Sequence, residues 1–230
     1  HALAATVHAP VVGLQSGVVL FPQPYSQPAL ENFEATLSIG VAHFDALPHW
    51  SCLPLGVWRT HRRHRRDVLI MPPGGATPLG TLGYVSAAME LSEQVSMGAL
   101  PSPMEIVVAV GSTCTAAGLL LGSFVHWAGG RNRPRIRAIR VTPWPVTAHR
   151  RVVNLAFATA QLLLQFTGDA RFDIGRSTLH AGLVLDGGQL GRGYGWPTKR
   201  GKRAALGLAS QGLAVDEVYT AKSAAALLER

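Results

Sequence analysis

Cysteine, lysine and acidic residues are all scarce in this sequence of 230 residues. Cys52 and Cys114 are too few for a disulfide framework, and they form no CxxC pair that would bind zinc. The apolar stretches are interrupted by glycine or polar residues and fall short of the length that crosses a bilayer. The start shows no secretory signal pattern. We therefore expect a protein of the reducing cytoplasm with no membrane partner.

Basic residues are abundant by contrast, since 21 lysines and arginines against 13 acidic residues leave a net charge of +8. Five arginines and two histidines lie in the run Arg59–Arg66. Contacts to a phosphate backbone would use such a run, but no aromatic residues interleave it and no nucleic-acid-binding motif stands beside it. We interpret it as a solvated loop before a strand at Val68. His61 and His64 lack further ligands, so no metal site is predicted.

Short β-rich runs alternate with longer helical patterns, which is typical of an α/β protein with open, twisted, mostly parallel sheets. Strands are predicted at Val18–Phe21, Val41–Phe44, Val68–Met71, Ile106–Val110, Ile136–Val141 and Leu183–Leu185. Helices are predicted at Ala29–Ile39, Leu79–Gln94, Thr115–Val125, Ala148–Phe166, Lys199–Gln211 and Ser223–Leu228. The glycine- and proline-rich stretch at Pro72–Gly75 predicts a boundary between a partial, smaller α/β domain at 1–71 and a larger one at 72–230.

One loop has the composition of an anion site. The apolar run Ile106–Val110 leads into Gly111-Ser-Thr-Cys-Thr115 and then into an apolar helix. A strand, a turn of small residues and a helix N-terminus bring free backbone N–H groups and the positive end of the helix dipole together. A phosphate suits such a site, although a tightly packed structural turn has the same composition. The loop is neither a Walker loop nor a dinucleotide-binding fingerprint.

Three further segments occur with this loop in the order of one enzyme family. They are Ile70–Val85, which contains Pro-Pro-Gly-Gly-Ala-Thr-Pro-Leu-Gly, then Gly193–Thr198 and Asp216–Lys222. Together the four segments resemble the D-cysteine desulfhydrase and 1-aminocyclopropane-1-carboxylate deaminase family. The resemblance implies a tryptophan synthase β-like fold (fold type II), in which two α/β domains hold pyridoxal 5'-phosphate in the cleft between them. It also implies a homodimer.

The resemblance assigns cofactor-binding roles to residues of this chain. It implies that the cofactor phosphate is held by Gly111, Ser112, Thr113, Cys114 and Thr115. The family usually has glycine or a small residue where Thr113 and Cys114 stand. Thr220 matches the position that faces the pyridine nitrogen, where deaminases of the cyclopropane substrate carry glutamate. A neutral hydroxyl there favours β-elimination from a cysteine-like substrate, which gives pyruvate, ammonia and hydrogen sulfide.

The resemblance also implies a substrate site for a small amino acid. Tyr194 and Tyr219 match tyrosines that line the cleft, and as candidate catalytic residues their phenols can stack, donate a hydrogen bond or, with a lowered pKa, exchange protons with the substrate. A packed core tyrosine is the alternative for each. Gly74 and Gly75 match a turn beside the substrate, and the same glycines would also serve a sharp structural turn. His1 matches a residue at the start of a helix that receives the substrate carboxylate.

The catalytic lysine that this family needs has no match in the chain. Its lysines are Lys199, Lys202 and Lys222, and none falls at the position of the Schiff-base lysine, which the family carries in a Gly-Asn-Lys motif before the region that His1 matches. We expect an upstream segment to carry it. The alternatives are a deaminase of the cyclopropane substrate and a non-catalytic remnant that keeps an anion site or a contact with nucleic acid.

Overall fold

The computed structural model describes residues 2–64, 67–127 and 133–229, and the chain divides into two compact units that meet in sequence at Met71 and Pro72. No helix in these three ranges is both long enough and apolar enough to cross a membrane. Parallel strand pairs connected through helices occur in each unit, so the α/β class is confirmed.

The first unit contains a two-stranded parallel sheet. Its elements are α1 (Ala2–His8), a 3₁₀ turn (Ala9–Val12), β1 (Gly17–Leu20), α2 (Gln27–Ile39), β2 (His43–Ala46), a second 3₁₀ turn (Trp50–Cys52) and α3 (Leu53–His64). Gly17 lies opposite His43 in the sheet, and α2 forms the crossover between the two strands. The side chain of Ser26 accepts a hydrogen bond from the Ala29 N–H and so caps the start of α2.

The basic run differs from its prediction. Arg59 to His64 form the last turns of α3, where cationic side chains interact favourably with the helix dipole, and Arg65 and Arg66 lie outside the described residues. The strand predicted at Val68–Met71 is wrong as well. The short apolar run indicated a buried strand, yet Leu69 is 90% exposed and no described strand pairs with the segment.

The second unit is built on a three-stranded parallel sheet. Its elements are α4 (Pro78–Ser96), β3 (Glu105–Val110), α5 (Cys114–His126), β4 (Arg135–Arg140), α6 (His149–Thr167), α7 (Arg176–Ala181), β5 (Leu183–Asp186), α8 (Lys199–Ala209) and α9 (Thr220–Leu228). The strand order is β3-β4-β5, with Glu105 opposite Arg135 and Ile136 opposite Leu183. Arg137 on the central strand bonds to Glu105 on one side and Asp186 on the other, and so connects all three strands.

Helix α5 lies in the core of the second unit and packs closely against α4. Methyl groups added to Gly118 and Gly122 would overlap Tyr84 and Ala88 of α4, so these glycines let the two helix backbones approach. Most residues of α5 are buried, as its almost uninterrupted apolar sequence predicts. This packing fixes the N-terminal end of α5 and therefore the loop that precedes it.

Candidate active site

The predicted anion loop connects β3 to the N-terminus of α5. The backbone N–H groups of residues 112 to 115 make no hydrogen bond within the ranges that the structure describes. They are therefore available to an acceptor from outside the chain, and the α5 dipole adds partial positive charge at the same place. Thr113 and Cys114 are buried, with relative exposures of 4% and 5%. The loop is thus a rigid backbone cradle with the chemistry of a phosphate site.

Thr113 gives this loop an unusual backbone conformation. Its φ is +80°, and it is the only non-glycine residue with positive φ in the described part of the chain. The left-handed conformation costs an L-residue about 1–2 kcal/mol. The residue turns the chain from the strand into the helix, where the family usually has glycine or a small residue. The strain is held by the packing of α5 and marks a position where conformation matters more than local stability.

The turn at Gly74 and Gly75 lies against the anion loop. Both glycines have positive φ, and a methyl group on Gly74 would overlap the Ser112 side chain. The Cys114 thiol lies 3.7 Å from the Gly75 carbonyl oxygen, to which it donates. Two glycines predicted to contact substrate therefore border the residues predicted to hold phosphate. The Thr77 hydroxyl accepts from the Gly80 N–H and caps α4, which fixes the far side of the turn.

The two predicted catalytic tyrosines are in contact with each other. The Tyr219 hydroxyl donates to the Tyr194 hydroxyl at 3.1 Å, and the rings meet edge to face with centroids 6.1 Å apart. Tyr219 also packs on the anion loop, because a Cβ on Gly111 would lie 3.1 Å from its ring and 3.3 Å from its hydroxyl. About a third of each tyrosine is exposed. The fold thus brings together two residues that are 25 positions apart in sequence, beside the loop after β3.

Tyr219 is held in its neutral form. Burial raises the pKa of its phenol, and the hydrogen bond to Tyr194 and the nearby charge of Asp216 raise that pKa further. The direction is opposite to the lowered pKa that proton exchange by this phenol would favour. Tyr219 therefore serves at neutral pH as a hydrogen-bond donor that retains its proton.

Asp216, to which neither the sequence pattern nor the resemblance assigns a role, organises the start of α9. Its carboxylate accepts from the N–H groups of Val218, Tyr219 and Thr220 at 3.0, 2.6 and 2.8 Å. Partial burial alone would raise the pKa of this largely exposed carboxyl, but the N–H donors and the Thr220 hydroxyl outweigh that effect and lower the pKa. An aspartate shortly before a helix was the available sequence signal. Thr220, predicted to face the ring nitrogen, is the first residue of α9.

Lys222 is a second residue without an assigned role that belongs to this region. It lies two residues after Thr220 and is completely buried. Its ammonium donates to the carbonyl oxygens of Leu190 and Gly193, the latter directly before Tyr194 in the chain. Burial lowers the pKa of Lys222.

The structure contains no candidate metal centre among the residues it describes, since no three His, Cys, Asp or Glu side chains cluster there. His1 lies outside the described residues. Two open surface grooves are lined by other residues, with Arg150 and Arg176 in one and Met89 and His126 in the other. The loop, the glycine turn and the tyrosine pair therefore form the candidate site.

Comparisons with known proteins identify the family and the fold of the chain. No family model matches the chain. The chain is 34% identical over 164 residues to a D-cysteine desulfhydrase of Salmonella paratyphi C, a match that covers 70% of this chain and 44% of the relative. This chain thus spans less than half the length of that relative. The crystal structure of an ACC deaminase homologue superposes on this chain with a TM-score of 0.72 at 24% sequence identity. The match covers 100% of this chain and 65% of the homologue's chain, which shows a shared fold. The chain belongs to the D-cysteine desulfhydrase and 1-aminocyclopropane-1-carboxylate deaminase family of pyridoxal-phosphate-dependent enzymes, and it has their tryptophan synthase β-like fold.

Proposed function

We propose that this chain forms the phosphate-binding and proton-donating part of a lyase that converts D-cysteine to pyruvate, ammonia and hydrogen sulfide. The observation that carries the proposal is the packing of Tyr219 on Gly111 with its hydroxyl on Tyr194. It puts a proton donor beside the loop whose N–H groups are free. The relative named as a D-cysteine desulfhydrase supports the choice of reaction.

The residues present fit the phosphate of the cofactor. The free N–H groups of residues 112 to 115 supply donors, the N-terminus of α5 supplies positive potential, and the Ser112 and Thr115 hydroxyls add further donors. The cofactor would be held by Gly111, Ser112, Thr113, Cys114 and Thr115. When bound, pyridoxal phosphate supplies the electron sink that elimination from an amino acid requires.

The tyrosine pair gives the direction of proton donation. Tyr219 donates its hydrogen to the Tyr194 oxygen, which leaves the Tyr194 hydrogen free to point elsewhere. Tyr194 is therefore the residue that gives a proton to the departing sulfur of the substrate, and Tyr219 orients it. A phenol keeps its hydrogen at neutral pH, and because burial raises the pKa of Tyr219, the orienting hydroxyl keeps its hydrogen into the alkaline range as well.

Thr220 supports elimination over ring opening of the cyclopropane substrate. Its side chain is neutral, and its backbone N–H is bound by Asp216, so the residue has a fixed position at the start of α9. A neutral partner for the ring nitrogen gives a weaker electron sink than a glutamate would. β-Elimination with a good sulfur leaving group is the less demanding of the two reactions. Thr220→Glu is therefore expected to raise turnover of 1-aminocyclopropane-1-carboxylate relative to D-cysteine.

The experiment separates cofactor binding from turnover. Pyridoxal phosphate is added to this chain and to a version extended by its upstream coding sequence, and absorbance is followed together with pyruvate and sulfide release from D-cysteine. We expect turnover in the extended protein. Ser112→Asp puts a negative charge into the cradle and should weaken cofactor binding at least about tenfold. Ser210→Asp, at an exposed site after α8, is the matched control and should bind normally.

Three outcomes would count against the proposal. The enzymatic assignment fails if the extended protein neither binds the cofactor nor releases pyruvate from D-cysteine. If the Ser112→Asp and Ser210→Asp variants bind pyridoxal phosphate equally well, the cradle does not bind the cofactor. Turnover of 1-aminocyclopropane-1-carboxylate in preference to D-cysteine would show that Thr220 does not select elimination.

A further inference from the structure

Lys222 is a cation with no exposed surface. Its relative exposure is 0%, and Nζ donates to the carbonyl oxygens of Leu190 at 3.1 Å and Gly193 at 3.3 Å. No carboxylate oxygen lies within 4.0 Å of this ammonium in the described part of the chain. The charge is therefore compensated by two carbonyl dipoles and by no counter-ion.

The position of Lys222 opposes a positive charge in two ways. Burial lowers its pKa, which shows that the environment disfavours the ammonium form. Lys222 is also the third residue of α9, close to the positive end of the helix dipole, where cations are unfavourable. An unbranched apolar side chain would fill the same space without either penalty. Packing alone does not explain the lysine, whereas its two hydrogen bonds do.

Those hydrogen bonds hold the turn of residues 187–196 between β5 and α8. The Gly193 N–H donates to the Leu190 carbonyl at 3.2 Å, and Gly191 and Gly193 have φ values of +59° and +111°. Glycines with positive φ give such a segment wide conformational freedom when nothing restrains it. The ammonium of Lys222 binds both carbonyls and so restrains the turn from the side of α9.

Tyr194 follows Gly193 directly, so the restraint acts on the backbone of the proposed proton donor. Tyr219 lies three residues before Lys222 and directly precedes the first residue of α9. The start of α9 thus contacts the segment of Tyr194 twice, at the Gly193 carbonyl through Lys222 and at the Tyr194 hydroxyl through Tyr219.

We propose that Lys222 is a positioning residue, which fixes the backbone at Gly193 and thereby places the Tyr194 hydroxyl for proton transfer. The inference rests on the proposed function of Tyr194. A lysine that only filled space would leave the turn and the tyrosine pair unchanged on replacement by a neutral, unbranched side chain of nearly equal length.

Hydrogen exchange on the chain tests the restraint without any assay of activity. Lys222→Met keeps an unbranched side chain, one atom shorter than lysine, but removes the charge and the donors. Lys202→Met is the matched control, because Lys202 is half exposed and only meets Glu217 at the surface, 3.8 Å away. We expect amides of residues 187–196 to exchange at least about tenfold faster in Lys222→Met, with β3 to β5 unchanged. Lys202→Met should match the wild type.

The proposal is overturned if the amides of residues 187–196 exchange in Lys222→Met at the same rate as in the wild type. If circular dichroism shows that this variant does not fold, Lys222→Gln takes its place. Gln is, like Met, one atom shorter than lysine, and its neutral amide cannot reach both carbonyl oxygens, so the turn must also exchange faster. Unchanged protection in Lys222→Gln would equally overturn the proposal.

Kinetics of the extended protein test the link to Tyr194. A misplacement of about 1 Å can reduce turnover about 10²-fold, so Lys222→Met should lower kcat by this order and leave KM nearly unchanged. In a Tyr194→Phe background the same substitution should cause little additional loss, because its effect passes through Tyr194. Additive losses would contradict the positioning role. Absence of any wild-type turnover would refute the proposed function, while hydrogen exchange would still decide whether Lys222 holds the turn.

Discussion

Replacement of Gly74 by alanine measures how closely the glycine turn and the anion loop are packed. Gly74 has a φ of +73°, and an added methyl group would overlap the side chain of Ser112. The left-handed conformation should cost alanine about 1–2 kcal/mol. Overpacking against Ser112 should add about 1–3 kcal/mol. We therefore expect Gly74→Ala to lower the free energy of unfolding by about 2–5 kcal/mol.

Gly98 provides the matched control. Its φ is +74°, almost the same as at Gly74, but a methyl group there would meet no atom within 4 Å. Gly98→Ala should therefore cost only the conformational part, about 1–2 kcal/mol. The double variant Gly74→Ala/Ser112→Gly removes the overlapping side chain and should recover the steric part, about 1–3 kcal/mol.

Urea unfolding followed by tryptophan fluorescence gives the free energy of unfolding of each of the three variants. A phosphate-binding measurement shows whether each substitution also changes the anion loop. Because Ser112 belongs to the cradle, Gly74→Ala should weaken phosphate binding, whereas Gly98→Ala should not. Equal losses of stability in Gly74→Ala and Gly98→Ala, or no recovery in the double variant, would refute the close contact between the turn and the loop.

Four other substitutions give distinct expectations. Asp216→Ala should lower the free energy of unfolding by about 1 kcal/mol at pH 7, a value kept small by the exposure of the side chain. Because the folded-state pKa of Asp216 lies below its ordinary value, this difference should shrink as the pH falls below about 4, which pH-dependent urea unfolding would show. Gly122→Ala should destabilise by about 1–3 kcal/mol through overlap with Ala88, whereas the exposed helical Gly83→Ala should stabilise by about 0.5–1 kcal/mol in the same assay. Tyr219→Phe should reduce kcat of the extended protein about 10²-fold or more with nearly unchanged thermal stability, since it removes the donor that orients Tyr194.

The strand, loop and helix around Gly111 were predictable because each local signal agrees with the others. A continuous apolar strand, small residues and an apolar helix occur in succession, and the structure places them at β3, the cradle and α5. Element ends were less predictable. The second strand was expected at Val41–Phe44 and lies at His43–Ala46, because its bounds depend on hydrogen bonds to β1.

The segment after the basic run and the residues around α9 show which contacts local sequence patterns do not predict. Val68–Met71 has the composition of a buried strand, but a strand also needs a paired neighbour, and sequence does not show whether one is there. The role of Lys222 depends on carbonyls 29 and 32 residues away along the chain. The tyrosine pair came from the family resemblance, since nothing in the spacing of Tyr194 and Tyr219 predicts that they meet.

The first turn of α9, together with Tyr219 directly before it, contacts the segment of Tyr194 at both its backbone and its hydroxyl. A small tilt or slide of this helix would therefore carry Tyr194 along with Tyr219, and the distance between their hydroxyls would stay nearly constant. The distance from both hydroxyls to Gly111 would change instead. Substitutions that shift α9 as a body should thus change the distance from the Tyr194 hydroxyl to a bound substrate without breaking the hydrogen bond between Tyr194 and Tyr219.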